Sequence, residues 1–469
     1  MKKTTLFSLA LVAGMALSPS LANAESKVTL TTAKEAGADF SFVTNPGKIT
    51  VDWGDGAAVE MTTDGSPVTG KLKGQTVTVS APALTFLDCS SNALTALDIA
   101  DGTPLNTLFC SDNQLSALEL SASRATLQHL DCSANKLSAL SLTLMKNLIT
   151  LNCADNTLTM LGVGNSKKLT SLICSNNELS SLTVTSLPEL ETLWCEGNAL
   201  TTLNLNSNKK LASVACDNNQ LTSVSVANTT KMVDFWCDNN QLEKLTLANN
   251  VNMKTLSCSN NKLTTLTVAA ASMENPVLAF YCDGNKLSFA SMHSLDNVVD
   301  ESNIVVGPQG NFPLPKSSVL VGEKFTLEGF DRNADDRQTS VVYTWKHGDK
   351  ELVKGTKNDY TVRRNDFTFN KAFDAVNCEV TSNLYPGMTL VSEPLAVLTE
   401  GTGIEDVMAA YGFSYVTNNG AVNMTSDKPY RVAIHSVDGK LVWNGIVSGT
   451  QSVTLGHGIF LINGKKVSL

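Results

Sequence analysis

Ten of the eleven cysteines in this sequence recur at a nearly fixed interval, and this spacing constrains the fold more than any other feature. The interval is 21 residues in most cases, once 22 and once 24. An Asn follows every one of these cysteines by three residues, from Asn92 to Asn285, and a Leu follows by five, from Leu94 to Leu287. Repetition at this period predicts a solenoid in which each repeat contacts only its neighbours. The ten cysteines lie at positions 89, 110, 132, 153, 174, 195, 216, 237, 258 and 282.

Residues at the same position in successive repeats form a column along the solenoid. The residue type of each column follows from the geometry of short strands. Apolar and polar residues alternate around each Cys, which predicts a strand buried on one face. Stacked strands of this kind form a parallel sheet with a spacing of about 4.8 Å. We expect Leu and Cys to form the core and Asn to bond backbone groups of the following turn. Pairs such as Leu203 with Leu205, and Leu245 with Leu247, predict extended structure on the opposite side, because a 21-residue repeat leaves little room for a helix.

The repeat unit reads LxxLxCxxNxLxxLxLxxxxx, for example from Leu190 to Leu205, and it resembles the leucine-rich repeat. The resemblance covers about residues 84–290 and uses Cys where that family usually has Leu. It implies a solenoid that binds partners on the concave side of its strands. In the tenth unit Ala290 and Met292 replace the last two apolar positions, which is typical of a C-terminal cap.

The cysteine column is predicted to hold free thiols. Neighbouring side chains are separated by about 4.8 Å, which exceeds the ~3.8 Å between β-carbons in a disulfide. They also run in parallel along a straight column, so they do not converge as the ligands of a zinc ion must. We therefore expect Cys to act as a small buried core residue, with no metal site.

The start of the chain predicts export. Two lysines are followed by an apolar stretch from Leu6 to Leu17 and by Ala22-Asn23-Ala24, which together are typical of a signal peptide over residues 1–24. The mature chain would begin at Glu25. No later apolar stretch reaches the roughly 18 residues of a membrane helix, so no transmembrane segment is expected. The prediction is a secreted protein that is located at the cell surface or associated with the outer membrane.

Charge excludes one class of partner. The sequence has 35 Lys and Arg residues against 44 Asp and Glu residues, a net charge of −9. Such a balance provides no diffuse basic surface for phosphate groups, so no nucleic acid is expected as a partner.

Residues 25–83 are predicted to form an N-terminal β cap. The segment VDWGDG at 51–56 resembles the hairpin of the polycystic-kidney-disease repeat, and Asp55-Gly56 is itself a strong turn signal. Val77 and Val79 are expected to supply a half-repeat that shields the first row of Leu side chains. The solenoid of ten units is assigned to residues 84–300.

Residues 303–400 show alternating strand patterns separated by turns. Trp345 precedes Cys378 by 33 residues, and the pattern resembles an immunoglobulin-like β-sandwich. The strand around Phe325 has no partner Cys, so Cys378 is expected to be a free, buried thiol.

Residues 402–469 are predicted to form a terminal β module. Its segments 437–442, 458–462 and 465–467 resemble the C-terminal sorting domain of proteins exported by the type IX secretion system. The resemblance implies contact with that secretion machinery, and in the family the domain is commonly removed as the cargo is attached to surface lipopolysaccharide. The alternative is an ordinary final β-sandwich. The fold class is therefore mostly β, with a leucine-rich repeat solenoid, an immunoglobulin-like sandwich and a C-terminal β-sandwich module in series.

Catalytic chemistry is not indicated. His129 is predicted to lie on the exposed sheet surface with Asp131 two residues on, but the register places no activated Ser, Cys or Lys beside it, and we expect a solvated side chain. The sequence has no phosphate-binding loop, dinucleotide fingerprint, HExxH motif or EF-hand loop. No enzyme activity and no cofactor are expected.

The surface of the strands is the candidate site. Directly before the Cys, the later repeats carry Trp194 and Trp236, about 9.6 Å apart at strand spacing, with Ala215 between them. This predicts a slot for a sugar ring, an aromatic side chain or a guanidinium group. In the alternative, the indoles lean over Ala215 and cover the sheet. The residues predicted to bind a ligand on the concave face are Trp194, Trp236, Tyr281, Ile173, Glu196, Asp217, Asp238, Asp283 and Asp234.

These observations predict a non-catalytic binding or adhesion protein that recognises a host or bacterial surface protein or glycan. Two alternatives stay open. One is a structural surface protein without a specific ligand, and the other is an accessory module of a surface system that degrades glycans or proteins.

Overall fold

The computed structural model describes residues 25–268, 277–292, 304–327, 341–363, 365–382, 387–399, 411–418, 421–436, 440–456, 459–463 and 465–468. The predicted signal peptide lies outside the described residues, as do residues 437–439 and Gly458 of the predicted sorting motif. The chain forms two compact units. The first runs to Leu242 and includes Thr246–Leu256, and the second contains Glu243–Leu245 and continues from Ser257.

Six strands precede the first repeat, and they are β1 (Ser26–Thr32), β2 (Asp39–Thr44), β3 (Gly47–Asp52), β4 (Val59–Thr63), β5 (Val68–Lys71) and β6 (Thr76–Ala81). The β3–β4 hairpin turns where the sequence predicts it. Asp52 accepts hydrogen bonds at its Oδ1 from the N–H groups of Gly54 and Gly56, at 2.9 and 3.1 Å. Both glycines have positive φ, 110° and 76°, which only Gly adopts readily. The predicted turn at Asp55-Gly56 is confirmed.

Short strands follow in the repeats, one at each Cys and further ones on the opposite side. In chain order they are β7 (Phe86–Asp88), β8 (Leu94–Ile99), β9 (Thr107–Phe109), β10 (His129–Asp131), β11 (Thr150–Asn152), β12 (Ser171–Ile173), β13 (Thr192–Trp194), β14 (Thr202–Asn204), β15 (Ser213–Ala215), β16 (Ser223–Ser225), β17 (Asp234–Trp236), β18 (Lys244–Leu247), β19 (Thr255–Ser257), β20 (Thr265–Val268), β21 (Ala279–Tyr281) and β22 (Ile304–Val305). The helices of the described repeats are a 3-10 turn at Ser121–Ser123 and α1 (Phe289–Met292).

Each ladder Cys directly follows a strand, and we call these strands the Cys-bearing strands. Those of the first unit form a parallel sheet in the order β7-β9-β10-β11-β12-β13-β15-β17. Leu and Cys side chains of successive strands point into one core, and all ten ladder cysteines are fully buried. On the opposite side, β14 and β16 pair in parallel, and Leu203 and Leu205 are buried. The predicted solenoid with extended outer segments is confirmed.

The cap joins the repeats differently from the prediction. Val77 and Val79 are fully buried, but they lie on β6, which pairs with β1 and β3. The strand that extends the sheet of the repeats is β2, which runs antiparallel to β7. The predicted half-repeat at Val77 and Val79 is therefore wrong. An antiparallel strand can cover the first row because its backbone N–H and C=O groups pair with the open edge of β7.

The predicted Asn ladder is confirmed, and Asn177 shows its geometry. Its Nδ2 donates to the carbonyls of Cys174, Ser175 and Cys153 at 3.2, 3.1 and 3.0 Å, and its Oδ1 accepts from Leu158 N at 2.9 Å. One amide thus links its own turn to the preceding repeat. Because the same bonds recur along the column, buried backbone groups at each turn are satisfied.

A second polar ladder, which the sequence did not suggest, lies at the turn that leads back into the strands. Asn208 is fully buried, and its Nδ2 donates to the carbonyls of Val184 and Leu187, both at 2.8 Å. Other buried side chains that bond neighbouring backbone from this column are Ser123, Ser166, Thr229 and Asn250.

The stack of Cys and Asn residues ends in the second unit with one further repeat, which contains neither a Cys nor an Asn at the corresponding positions. Strand β22 pairs in parallel with β21, and the buried Val306 follows it at the position of a Cys. Three residues later, Gln309 accepts at Oε1 from Leu287 N at 3.0 Å and donates to Cys282 O at 2.9 Å. Gln309 therefore makes the contacts of a ladder Asn. This repeat lies within the range predicted for the sandwich. The side chains of Ala290 and Met292 lie outside the described residues.

Two antiparallel sheets follow, built from β23 (Ser318–Leu320), β24 (Lys324–Thr326), β25 (Val341–His347), β26 (Lys350–Glu351), β27 (Tyr360–Arg363), β28 (Asp366–Phe369), β29 (Phe373–Ser382), β30 (Thr389–Val391) and β31 (Leu395–Leu398). One sheet has the order β23-β31-β29-β25-β26, in which β23 and β31 are parallel, and the other has the order β24-β28-β27. Trp345 is fully buried and packs edge-on against Phe325, Phe367 and Phe369. It lies opposite Cys378, which is free and buried as predicted.

The terminal module contains β32 (Ser414–Asn418), β33 (Ala421–Ser436), β34 (Leu441–Thr454), β35 (Ile459–Ile462) and β36 (Lys465–Ser468). The long strand β33 pairs antiparallel with β32, β34 and β35. Its core includes Phe413, Met424 and Val447. The predicted β module is confirmed as antiparallel β structure.

Candidate ligand-binding face

The exposed side of the Cys-bearing strands in the first unit consists of three columns. They lie three residues before, one before and one after each of the cysteines from Cys89 to Cys237, and we call this surface the strand face. Its three columns over eight repeats contain no Lys or Arg. The columns do contain six carboxylates, which gives the face a negative potential. The six are Asp88, Asp131, Glu196, Asp217, Asp234 and Asp238.

The two tryptophans flank Ala215 as the register requires. Trp194 pairs with Ala215, and Ala215 pairs with Trp236, on three consecutive strands. Both indoles are half-buried, whereas Ala215 has no exposed surface. Trp194 donates from Nε1 to Ser213 Oγ at 3.3 Å, so its indole leans towards β15. The floor of the predicted slot is therefore covered, which is the arrangement that the alternative describes.

The acidic residues differ in exposure. Asp217 is buried, and its Oδ1 accepts from the backbone N–H of Asp238 at 3.0 Å. This carboxylate therefore holds the turn that follows β17. Glu196, Asp234 and Asp238 are half-buried and reach the surface. These three carboxylates contribute the accessible negative charge of this part of the face.

The other predicted residues are distributed as follows. Ile173 is buried, with 7% of its surface exposed, and can contribute little area to a partner. Tyr281 and Asp283 belong to the second unit, where both are half-buried. Asp283 accepts a hydrogen bond at its Oδ1 from Ser259 Oγ at 2.5 Å.

The earlier repeats carry a hydrogen-bonded network that the sequence did not indicate. Asp131 accepts from Ser133 Oγ at 2.6 Å and from Asn152 Nδ2 at 3.1 Å, so its two oxygens are engaged. His129 lies within 3.0 Å of Thr150 Oγ1 at its Nδ1 and is half-buried rather than solvated. Burial lowers the pKa of His129, which favours the neutral imidazole. Side chains engaged in this way are positioned for structure rather than for proton transfer.

The thiol column offers no nucleophile. Every Cys is free and buried, and burial raises the pKa of the Cys153 thiol to about 12. A thiol with such a pKa stays protonated at neutral pH and is inert towards electrophiles. In the described residues, no group of three or more His, Cys, Asp or Glu side chains is arranged to hold a metal ion.

Comparison with known proteins identifies the fold. No family model and no curated protein matches the sequence. Among solved structures, the functional domain of InlJ from Listeria monocytogenes, which includes a cysteine ladder, gives a TM-score of 0.55 at 24% identity, over 66% of this chain and 67% of that one. The leucine-rich effector YopM from Yersinia pestis gives 0.39 at 27% identity, over 50% of this chain and 63% of that one.

The strand stacking, the Asn ladder and the similarity to InlJ together define the solenoid as a leucine-rich repeat fold whose core contains a column of cysteines. None of the helices in the described ranges is long and apolar enough to cross a membrane.

Proposed function

We propose that this chain is an exported, non-catalytic binding or adhesion protein. It acts at the cell surface or the outer membrane and recognises a host or bacterial surface protein or glycan. The strand face is its binding surface. The signal peptide at residues 1–24 starts export, and the immunoglobulin-like sandwich spaces the solenoid from the terminal module. That module, residues 402–469, engages the type IX secretion machinery.

One observation carries the binding role. The repeats keep the Cys, the Asn three residues after it and the Leu five residues after it in every unit, but the strand face changes its chemistry along the solenoid. Positions that hold Asp88 or Asn152 in early repeats hold the half-buried Trp194 and Trp236 in later ones. A leucine-rich repeat folds with either type of residue there, since these positions lie outside the core. Trp is enriched at binding sites, because the indole combines a large apolar area with a hydrogen-bond donor.

The experiment compares the mature chain, residues 25–469, with the double variant Trp194→Ala and Trp236→Ala on glycan and protein arrays. We expect binding to be lost with little change in the melting temperature, because both indoles lie outside the core. The matched control is Trp443→Ala, which removes a half-buried indole from the terminal module. It should leave array binding unchanged.

A large drop in melting temperature with binding retained would show that the tryptophans only cover Ala215. A mature chain that binds nothing on either array would favour the structural role without a ligand.

A further inference from the structure

The hydroxyl of Ser175 is an exception in the column that follows the ladder cysteines. Ser175 is 4% exposed, and within the described residues its Oγ makes no hydrogen bond. Other serines of this column are bonded. Ser111 donates to Ser90 Oγ at 3.1 Å, and Ser133 donates to Asp131. A buried polar group without a partner costs about 1–3 kcal/mol, so its presence calls for an explanation.

The neighbours of Ser175 explain why its hydroxyl lacks an internal partner. Two residues before Ser133 stands Asp131, which accepts the hydroxyl proton, but two residues before Ser175 stands Ile173, which cannot. The next repeat places Glu196 in the same column as Ser175, about 4.8 Å away at strand spacing. In the second unit, Ser259 and Asp283 stand in the same relation and are bonded at 2.5 Å. Ser175 and Glu196 repeat this arrangement without the bond.

Two polar groups lie on neighbouring repeats at this point of the strand face. Ser175 supplies a buried hydroxyl that can accept or donate, and Glu196 supplies a half-buried carboxylate. The indole of Trp194 leans the other way, towards β15, and leaves this point uncovered on the side of β12. A guanidinium or ammonium group can donate to the carboxylate and to the hydroxyl. A neutral sugar would not use the charge of Glu196 or the absence of Lys and Arg from the whole face.

We propose that Ser175 and Glu196 form a subsite for an Arg or Lys side chain of a polypeptide partner. The proposal rests on the proposed function and specifies the partner as a cationic segment of protein rather than a glycan. On binding, the Glu196 side chain turns onto the cation, and the Ser175 hydroxyl gains the hydrogen bond that it lacks. The remaining carboxylates of the strand face attract the same partner at longer range and make its association sensitive to salt.

The test uses the mature chain and short labelled peptides of Gly and Ser that carry spaced Arg or Lys residues. Matched peptides carry citrulline or acetyl-lysine, which keep the shape and remove the charge. We expect binding of the charged peptides only, weakened by salt. Glu196→Gln should lower the affinity roughly 10- to 100-fold and Ser175→Ala roughly 2- to 10-fold, since these are the ranges for charged and neutral hydrogen bonds. Ser175→Ala should leave the melting temperature unchanged or raise it, because it removes an unpaired hydroxyl.

Two control variants lie on the opposite side of the solenoid, Glu119→Gln and Ser141→Ala, both at exposed positions. They should bind the peptides as the unaltered chain does. Equal binding of charged and neutral peptides, or unchanged affinity in both subsite variants, would overturn the proposal. A clear fall in melting temperature for Ser175→Ala would also overturn it, since the hydroxyl would then have an internal role.

The outcome separates this proposal from the proposed function. If arrays show binding to glycans alone, and that binding is lost in the tryptophan double variant, the cationic subsite is wrong while the binding role stands. If neither peptides nor arrays show binding, both are wrong.

Discussion

Replacing Asn177 tests whether the Asn ladder stabilises the solenoid as its geometry indicates. In Asn177→Ala the carbonyls of Cys153 and Cys174 keep bonds from Asn156 and Asn198, and Ser175 O keeps its bond from Asp155 N. Only Leu158 N–H loses its sole acceptor, which costs about 1–3 kcal/mol. The other lost bonds bring the expected decrease in the free energy of unfolding to about 2–4 kcal/mol.

The variant Asn177→Asp keeps the hydrogen-bond acceptor of the side chain and removes its donor. The carboxylate still accepts from Leu158 N–H, but it faces three carbonyl oxygens in a buried site. The pKa of this Asp is therefore expected to be raised in the folded state. A raised pKa means that the folded state binds more protons than the unfolded state. Relative to the unaltered chain, the penalty should thus be smallest below the unfolded pKa of about 3.9, and it should grow as the pH rises through the folded pKa.

The matched control is the neighbouring Asn176→Gly. Asn176 is exposed at a φ of 53°, which Gly adopts freely, and it makes one side-chain bond, to Asp155 at 2.8 Å. We expect a change below about 1 kcal/mol. Denaturant unfolding gives the overall change, and hydrogen exchange at Leu158 reports the local one. Equal stability of Asn177→Ala and Asn176→Gly, or a penalty for Asn177→Asp that does not depend on pH, would refute the reasoning.

Two further predictions concern the thiols and export. The denatured, unreduced chain should react with eleven equivalents of thiol reagent, because all eleven cysteines are free, and several blocked thiols would contradict this. Cys174→Ser should cost about 1–3 kcal/mol in the free energy of unfolding, measured with denaturant, since it places a hydroxyl in an apolar row. Deleting residues 402–469 should leave a folded solenoid in the periplasm, as seen by fractionation and protease protection. Undiminished surface display of the truncated chain would show that the module is not the export signal.

The repeat spacing was sufficient to predict the solenoid, the buried thiols and the Asn ladder. Each repeat contacts only its neighbours, so every residue of a column has nearly the same surroundings. One unit, such as the one around Asn177, therefore specifies the contacts of the rest. The pairing of Ala215 with Trp194 on one side and Trp236 on the other follows from the same register and was predictable for the same reason.

Other contacts depend on residues that share no period with the repeat. The sequence gives Val77 and Val79 the pattern of a buried strand, but which strand pairs with β7 is decided by the folding of the whole cap. Gln309 and Val306 complete the ladder without matching its Asn and Cys, because the hydrogen-bond geometry accepts a longer amide and another apolar side chain.

The composition of the site was determined by the sequence. Its geometry was set by the tertiary structure alone. The sequence alone shows a face with six carboxylates, two tryptophans and no Lys or Arg. Whether Ala215 is covered, whether Asp217 bonds a turn and whether the Ser175 hydroxyl finds a partner depend on side-chain orientation across neighbouring strands. Those orientations are set by packing and hydrogen bonds between repeats, which residue identity at a position does not specify.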